Sequence, residues 1–578
     1  MGYIEQLDLD VDAESGDCAA AAVSRRHILA ALAGAGVGTA VFQRAVVAQV
    51  GNATAVTAEM IKQAEWIAGL ELTDEQRKSA AGTVNRRLRN YEGLRAVVVE
   101  HGVAPAFAFH PAPHETVDAP VERGVTSFTE NAAPKRPDSV DDLAFLPVTE
   151  LAALVRSRQV SSVELTKLYL DRLQKYDPVL KCVVTLTDDL AMKQAKQADR
   201  EIAAGRYRGP LHGIPWGAKD LIAYPGYTTT WGATPFQDQV LQGKATVAQR
   251  LDDAGAVLVA KLSLGALASG DRWFGGQTRN PWNPAQGSSG SSAGSASATV
   301  AGLVGFAIGS ETHGSIVSPC RRCGASGLRP TFGRVSRSGC MTLAWTLDKL
   351  GPITRSMEDC AVVFSAIHGR DGLDASTVDR PFHWPPRRDL RTLKVGYVEN
   401  QTPIGKRPEL TVLRELGVKL VPIELPLELP GRLLSTILYA ECGTVFEELT
   451  RNGITEGLNR WPDGFRNALF IPAVEYLRAN RIRTLLIQQM EEVMSKVDLY
   501  VGGNDLTLTN LTGHPTAVLP DGFRKQGAVE TPKAITFTGR LYGETDLLAV
   551  AHAYQQATGH HLRKPPVEKL IDAKPDQR

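Results

Sequence analysis

A Gly/Ser-rich segment that runs directly into an apolar stretch is the feature that most constrains the fold of this chain. Residues 287–315 have the sequence GSSGSSAGSASATVAGLVGFAIGSETHGS, with an apolar part from Val300 to Ile308. Gly and Ser alone are typical of flexible linkers, but an apolar stretch must be buried. Small residues also let backbone approach backbone or ligand closely. We therefore expect a closely packed segment whose backbone N–H groups can act as donors to an anion.

The composition is that of an ordinary soluble globular protein. Of the 578 residues, 43% are hydrophobic and 22% are charged, which argues against a disordered chain and a polytopic membrane protein. Lys+Arg (64) and Asp+Glu (63) nearly balance, giving a formal net charge of +1. Because a nucleic-acid binder usually shows a basic excess or stripe, no nucleic-acid partner is expected.

The cysteines predict neither a disulfide scaffold nor a metal site. Seven cysteines in a chain of this length are too few for a disulfide-stabilised fold. Cys320 and Cys323 have CxxC spacing, but no second CxxC and no paired histidines complete a zinc site. We expect buried or semi-buried structural cysteines and no metal.

The N-terminal residues resemble a twin-arginine export signal. Arg25 and Arg26 stand directly before an apolar run at 28–42, which is shorter than the roughly 20 residues of a bilayer span. Residues 46–48 fit a signal-peptidase site. We predict a signal peptide over 1–48, export to the periplasm or the cell exterior, and no stable membrane span after processing. The alternative is a short buried helix in a cytoplasmic protein.

Four further regions follow from local patterns. Helical spacing of apolar residues predicts a helical extension at 49–102. Six prolines and little periodicity predict an extended linker at 103–140. Alternating helix-like and strand-like segments predict an α/β domain at 141–565, followed by a tail at 566–578.

Within these regions, three local signals predict the position of single elements. Thr73 and Gln76 have the spacing of a capping box and predict the start of a helix. Ser161 or Ser162 is expected to cap a helix that begins near Val163. The apolar run at 256–260 predicts a buried strand.

Lys219 stands among apolar and small residues in the segment 213–220. Lysine is rarely fully buried, and burial favours its neutral form, which can act as a base. The residue types alone leave two alternatives open, a lysine that reaches solvent and one that pairs with Asp220.

Taken in order, these motifs resemble the amidase signature family of serine hydrolases. The family pattern is GIPxxxKD, then GGSSGGSA, then GTDTGGS, then CGxxGLKPTxGRVS. The matching segments here are 213–220, 291–295, 309–315 and 323–336, and 510–515 with 543–544 fit the C-terminal pattern. The resemblance covers about 145–560. It implies an α/β fold with a large central mixed β-sheet flanked by helices, here with an N-terminal helical extension.

The resemblance also implies the catalytic residues. Ser315 matches the nucleophile and Lys219 the base, and the family spacing of 24 residues before the nucleophile selects Ser291 rather than Ser288 as the proton relay. The family carries this relay serine on a cis peptide bond. The backbone N–H groups of the motif end are then expected to form the oxyanion hole: Thr312, His313, Gly314 and Ser315. The family's reaction uses no metal or organic cofactor.

Three residues depart from the family pattern. Glu311 replaces an aspartate, His313 replaces a glycine, and Val317 replaces an arginine found in many members two residues after the nucleophile. Val317 makes a carboxylate-bearing substrate less expected unless Arg321 or Arg322 takes over that role. His313, next to the nucleophile, leaves a Ser–His mechanism as an alternative.

The main functional hypothesis is a serine hydrolase that cleaves non-peptide C–N bonds of linear carboxamides through an acyl-enzyme. Its expected partner is a small-molecule amide, and the family suggests a homodimer. The first alternative is the glutamine-hydrolysing A subunit of a tRNA-dependent amidotransferase, against which the export signal and the balanced charge argue. A non-catalytic binding protein has no need for all three of Lys219, Ser291 and Ser315. An esterase is the fourth hypothesis, since the same acyl-enzyme chemistry cleaves esters.

Overall fold

The computed structural model describes residues 55–99, 106–107, 124, 126–129, 135–399, 404–503, 505–527 and 529–572. The predicted signal peptide at 1–48 lies outside the described residues, as does most of the predicted linker at 103–140. The chain forms two compact units that divide between Asn85 and Arg86. The domain limits expected from the sequence stay predictions.

The described part of the first unit is helical, as expected. Helix α1 (Ala58–Ala64) leads into a 3₁₀ turn at Glu65–Ala68, and α2 (Asp74–Arg95) contains the point of division. The predicted capping box is confirmed, because the Thr73 N–H donates to Gln76 Oε1 at 2.8 Å and the Gln76 N–H donates to Thr73 Oγ1 at 3.3 Å.

The second unit is built on an 11-stranded mixed sheet, which confirms the predicted fold class. Its strands are β1 (Val183–Leu186), β2 (Pro215–Lys219), β3 (Val257–Leu262), β4 (Phe306–Glu311), β5 (Ser326–Arg329), β6 (Lys349–Thr354), β7 (Lys394–Val398), β8 (Lys419–Ile423), β9 (Leu499–Val501), β10 (Thr516–Gln526) and β11 (Val529–Gly539). They lie in the order β1-β3-β2-β4-β6-β5-β10-β11-β9-β7-β8. Two small hairpins pair Arg272–Trp273 with Gly276–Gln277 and Arg279–Asn280 with Asn283–Gly287.

Helices flank this sheet, and in the sequence they lie before, between and after its strands. They are α3 (Val140–Leu143), α4 (Val148–Arg156), α5 (Ser162–Leu180), α6 (Asp188–Ala203), α7 (Thr246–Asp253), α8 (Ala293–Val300), α9 (Val317–Cys323), α10 (Met357–Ile367), α11 (Pro408–Glu415), α12 (Pro430–Val445), α13 (Glu447–Arg451), α14 (Trp461–Ala468), α15 (Ala473–Lys496), α16 (Leu506–Thr512), α17 (Glu544–Thr558) and α18 (Lys569–Asp572). Of the two caps considered for α5, Ser161 is the one observed, since its Oγ accepts the Glu164 N–H at 3.0 Å. The strand expected at 256–260 is β3.

The centre of the sheet brings distant parts of the chain together. Strand β2 is parallel to both β3 and β4, with Ala218 opposite Ile308, and β4 is antiparallel to β6, with Glu311 opposite Lys349. Trp216 stacks on Phe306 with ring centroids 6.2 Å apart, and both are buried. Trp216 therefore serves the core.

The Gly/Ser-rich segment is packed rather than flexible. Every residue of α8 is buried, and a Cβ on Gly294 would lie 2.5 Å from the Cys182 carbonyl oxygen. A Cβ on Gly290 would lie 1.9 Å from the carbonyl oxygen of Gly270. Because backbone approaches backbone at these points, larger residues would separate the segments.

The two cysteines with CxxC spacing are buried, as expected for structural cysteines. Cys320 and Cys323 are buried free thiols of α9, and burial raises the pKa of both. Among the described residues no group of three or more His, Cys, Asp or Glu side chains could hold a metal ion. Within the same ranges, no helix is long and apolar enough to cross a membrane.

Candidate active site

The serine loop before α8 and the turn after β4 are held together by backbone and hydroxyl contacts. The Ser292 N–H donates to the Ser315 carbonyl at 3.0 Å. Ser292 Oγ accepts the Ser310 N–H and donates to the Ser310 carbonyl, both at 3.1 Å. The Gly290–Ser291 peptide bond is cis, as the family resemblance implied. The segments that carry Ser291 and Ser315 therefore adjoin each other.

Lys219, the last residue of β2, is completely buried among serine oxygens. Its Nζ lies 2.8 Å from both Ser291 Oγ and Ser310 Oγ, and 3.1 Å from Ser292 Oγ. The alternatives of a lysine that reaches solvent or pairs with Asp220 do not hold. Asp220 instead accepts a hydrogen bond from Lys261 Nζ at 2.5 Å.

The surroundings of Lys219 lower the proton affinity of its amine. Burial lowers the pKa of this lysine from 10.5 to about 7, and the charges of Asp348 and Glu311 only partly oppose that shift. Its hydrogen-bond partners are neutral hydroxyl and carbonyl oxygens. Near neutral pH a substantial fraction of Lys219 is therefore an uncharged amine that can accept a proton.

The turn from Glu311 to Ser315 presents unused backbone donors. In the part of the chain that the structure describes, the N–H groups of Thr312, His313, Gly314 and Ser315 donate to no protein acceptor. Gly314 has a φ of +85°, and a Cβ there would lie 2.8 Å from Leu506 Cδ2 and 2.9 Å from Ser318 Oγ. The turn thus requires glycine at this point, and its free donors match the predicted oxyanion hole.

Glu311 is the buried anchor of this turn. Its Oε2 accepts the N–H groups of Ile316 and Val317 at 2.8 and 2.9 Å. Its Oε1 accepts hydrogen bonds from Arg329 Nη1 and Asn510 Nδ2, each at 2.8 Å. Burial alone would raise the pKa of Glu311, but the charge of Arg329 and the hydrogen bonds that Glu311 accepts from Val317 and Arg329 hold it at about 2. The longer side chain that replaces the family's aspartate is therefore fully bonded.

Hydrogen bonds also hold Thr312, within the turn, and Lys349, opposite Glu311. Thr312 Oγ1 donates to Asp348 Oδ1 at 2.5 Å, and Asp348 Oδ2 accepts the N–H groups of Leu343 and Ala344. Lys349 Nζ donates to Asn510 Oδ1 at 2.8 Å, and burial holds its pKa well below the usual range. These contacts fix the backbone of the predicted oxyanion hole.

His313 does not contact the predicted nucleophile. Its side chain is exposed, and its Nε2 lies 3.0 Å from Thr507 Oγ1. Among the described residues, no hydrogen bond joins His313 to Ser315, nor Ser291 Oγ to Ser315 Oγ. The geometry therefore gives a Ser–His mechanism no support. Proton transfer between Ser315 and Ser291 would require their hydroxyl groups to come within hydrogen-bonding distance when substrate binds. Catalytic hydrogen bonds often shorten in this way.

Comparison with known proteins shows which family the chain resembles along most of its length. The family model described as Amidase matches residues 164–503. The A subunit of the glutamyl-tRNA(Gln) amidotransferase of Moorella thermoacetica is 30% identical over 491 residues, which is 73% of this chain and 99% of the relative. Its counterpart in Methylococcus capsulatus is 32% identical over 486 residues, covering 72% and 98%. The native peptide amidase from Stenotrophomonas maltophilia is 30% identical, with a TM-score of 0.63, covering 73% of this chain and 98% of that one.

The family match and these relatives place the chain among enzymes that act on carbon–nitrogen bonds. The chain belongs to the amidase family, the family with the amidase signature.

Sequence reasoning missed several residues that complete the site. Ser292 and Ser310 surround Lys219, and Asn510 bridges Glu311 and Lys349. Asn510 lies in the C-terminal pattern that matched the family, so its side chain had a signal but no assigned role. Asp348 had no such signal, because only the pairing of β4 with β6 brings its neighbour Lys349 opposite Glu311.

Proposed function

We propose that the protein is a serine hydrolase that cleaves the C–N bond of linear carboxamides through an acyl-enzyme. The observation that carries the proposal is Lys219, completely buried, 2.8 Å from Ser291 Oγ and with a pKa of about 7. An amide is a poor electrophile, and a serine hydroxyl is a weak nucleophile unless a base removes its proton. A neutral lysine connected to a serine loop supplies that base.

The proposed reaction has two steps that share one proton path. Ser315 Oγ attacks the amide carbonyl while its proton passes through Ser291 Oγ to neutral Lys219. The negative charge that develops on the carbonyl oxygen is stabilised by the unused N–H donors of residues 312–315, each worth about 10²–10³ in rate. The proton returns through Ser291 to the leaving amine as the C–N bond breaks. Water then hydrolyses the acyl-enzyme by the same path.

Covalent labelling with a fluorophosphonate probe, followed by peptide mapping, tests the nucleophile. We expect one adduct on Ser315, because its hydroxyl adjoins the free donors that would hold the phosphonate oxygen. The adduct should be absent from Ser315→Ala and much slower to form in Lys219→Met. An adduct on another serine, with Ser315 unmodified, would contradict the assignment.

The choice of Ser291 over Ser288 as relay predicts a large difference between two neighbouring alanine variants. Ser291 Oγ lies 2.8 Å from Lys219 Nζ, whereas Ser288 Oγ donates to the Ser289 carbonyl at 2.9 Å. Ser291→Ala should lower kcat/KM by at least about 10²-fold, and Ser288→Ala by less than about 10-fold. Steady-state kinetics on an aryl amide measures kcat/KM of both variants. A larger loss in Ser288→Ala than in Ser291→Ala would show that the serine-rich segment is wrongly aligned with the family motif.

A second candidate function is the hydrolysis of glutamine for a tRNA-dependent amidotransferase. The names of the two curated relatives favour it. In that case glutamine should be the preferred amide, and the chain should copurify with other subunits of such an enzyme. Preference for aryl or alkyl amides over glutamine by a purified single chain would favour the hydrolase.

Export through the N-terminal twin arginines is a further proposal, supported only by the sequence. Replacing Arg25 and Arg26 by lysine should hold the precursor in the cytoplasm. Fractionation of cells that express either form measures this. An unchanged distribution would remove the export hypothesis.

A further inference from the structure

A basic pocket opens beside the predicted catalytic loop, along α9. It has a volume of about 560 Å³, within the range of small-molecule sites. Its lining includes two serines and three arginines from separate segments: Ser289, Ser318, Arg321, Arg322 and Arg524. Nothing in the proposed mechanism uses this pocket.

The three arginines supply the charge of the pocket lining. Arg322 and Arg524 are exposed and Arg321 is half-buried, with its Nη2 donating to Thr536 Oγ1 at 3.3 Å. Within the described ranges, none of the three forms an ion pair. One carboxylate contacts the lining, since Asp271 Oδ2 accepts the Ser289 N–H at 3.0 Å. A pocket with three guanidinium groups and one such carboxylate favours an anion.

Two lining residues adjoin the loops of the predicted active site. The Ser318 N–H donates to the Gly314 carbonyl at 2.7 Å, and Ser289 is two residues from Ser291. Ser318, Arg321 and Arg322 are spaced i, i+3, i+4, so they lie on one face of α9. Arg321 lies four residues after Val317, the first residue of α9, which is about 6 Å along the helix axis. Helical side chains also tilt toward the N-terminal end, here toward Ser315.

We propose that this pocket binds a carboxylate carried by the substrate, at the end remote from the amide that is cleaved. The inference rests on the proposed amide hydrolysis and narrows its substrate class to amides with a terminal anionic group. Val317 offers no positive charge two residues after Ser315, and the arginines one turn further along α9 supply it instead. Arg524 of β10 lines the same pocket.

Two matched pairs of amides test the proposal. In the first pair the acyl chain ends either in a carboxylate (the monoanilide of suberic acid) or in a methyl group (the anilide of octanoic acid). In the second pair the same two end groups are placed on the chain of the amine. We expect kcat/KM to favour the carboxylate in one pair by about 10-fold or more. In Arg321→Gln/Arg524→Gln this ratio should fall toward 1, while Arg206→Gln, an exposed arginine outside the pocket, keeps it. No preference in either pair, or an unchanged ratio in the double variant, would overturn the proposal.

Calorimetric titration with suberate separates failure of the pocket from failure of the reaction. Binding should persist in Ser315→Ala and disappear in Arg321→Gln/Arg524→Gln, whether or not any amide is hydrolysed. Thermal melting of the double variant checks that it is folded. If inorganic phosphate binds through the arginines but neither suberate nor a carboxylate amide does, the pocket is a site for free anions and the substrate proposal is wrong.

Discussion

Lys219→Met is expected to lower kcat/KM for amides by about 10⁴-fold or more. The variant keeps an apolar side chain of similar length at the end of β2, so the sheet should remain intact. It removes the only amine within hydrogen-bonding distance of Ser291 Oγ among the described residues. Steady-state kinetics and a thermal melt of the same preparation measure the two effects. Near-normal turnover would contradict the role of Lys219 as base.

The same lysine predicts the pH dependence of the wild-type enzyme. The neutral amine is the active form, and its pKa is lowered from 10.5 to about 7. Activity should therefore fall about 10-fold per pH unit below pH 7 and level off above it. Lys349, a second buried lysine whose pKa is also lowered, provides the comparison. In Lys349→Met the fall of activity on the acid side should still occur near pH 7. If it moves to another pH, the titrating group is Lys349 rather than Lys219.

Glu311→Ala is expected to destabilise the protein by about 3–5 kcal/mol, because it leaves Arg329 as an unpaired buried charge. Both side chains are fully buried and 2.8 Å apart. The variant also frees the Ile316 and Val317 N–H groups that hold the turn before α9. Chemical denaturation measures the loss of stability, and the rate of fluorophosphonate labelling reports the turn. A loss below about 1 kcal/mol with normal labelling would show that the anchor is dispensable.

Two milder variants separate charge from hydrogen bonding at this position. Glu311→Gln keeps an acceptor for the turn but removes the charge, whereas Glu311→Asp keeps the charge on the side chain that the family carries. The pKa of Glu311 is held at about 2, below its ordinary 4.5. Its ionisation therefore contributes stability above pH 4.5, and that contribution is lost as the pH falls toward 2. The wild type should lose this stability in acid, and Glu311→Gln should lack the dependence.

Local patterns were sufficient where neighbours in sequence make the contact. Thr73 and Gln76 form the predicted capping box because a helix start requires only residues three apart. The family motifs identified the positions of Lys219, Ser291 and Ser315 because their order and spacing recur together. The Gly/Ser composition of 287–315 likewise indicated close backbone approach, which Gly290 and Gly294 confirm.

The sequence by itself determined the fold class, the family and the residues expected to react. Only the tertiary structure decided that Lys261, rather than Lys219, pairs with Asp220, and that serine oxygens surround Lys219. Likewise, only the structure brought Arg524 of β10 to the arginines of α9. The reason is physical. Strand order and register determine which distant residue a side chain contacts. The pKa of a buried group depends on how completely the fold excludes water from it. Neither quantity is encoded in the spacing of a local motif.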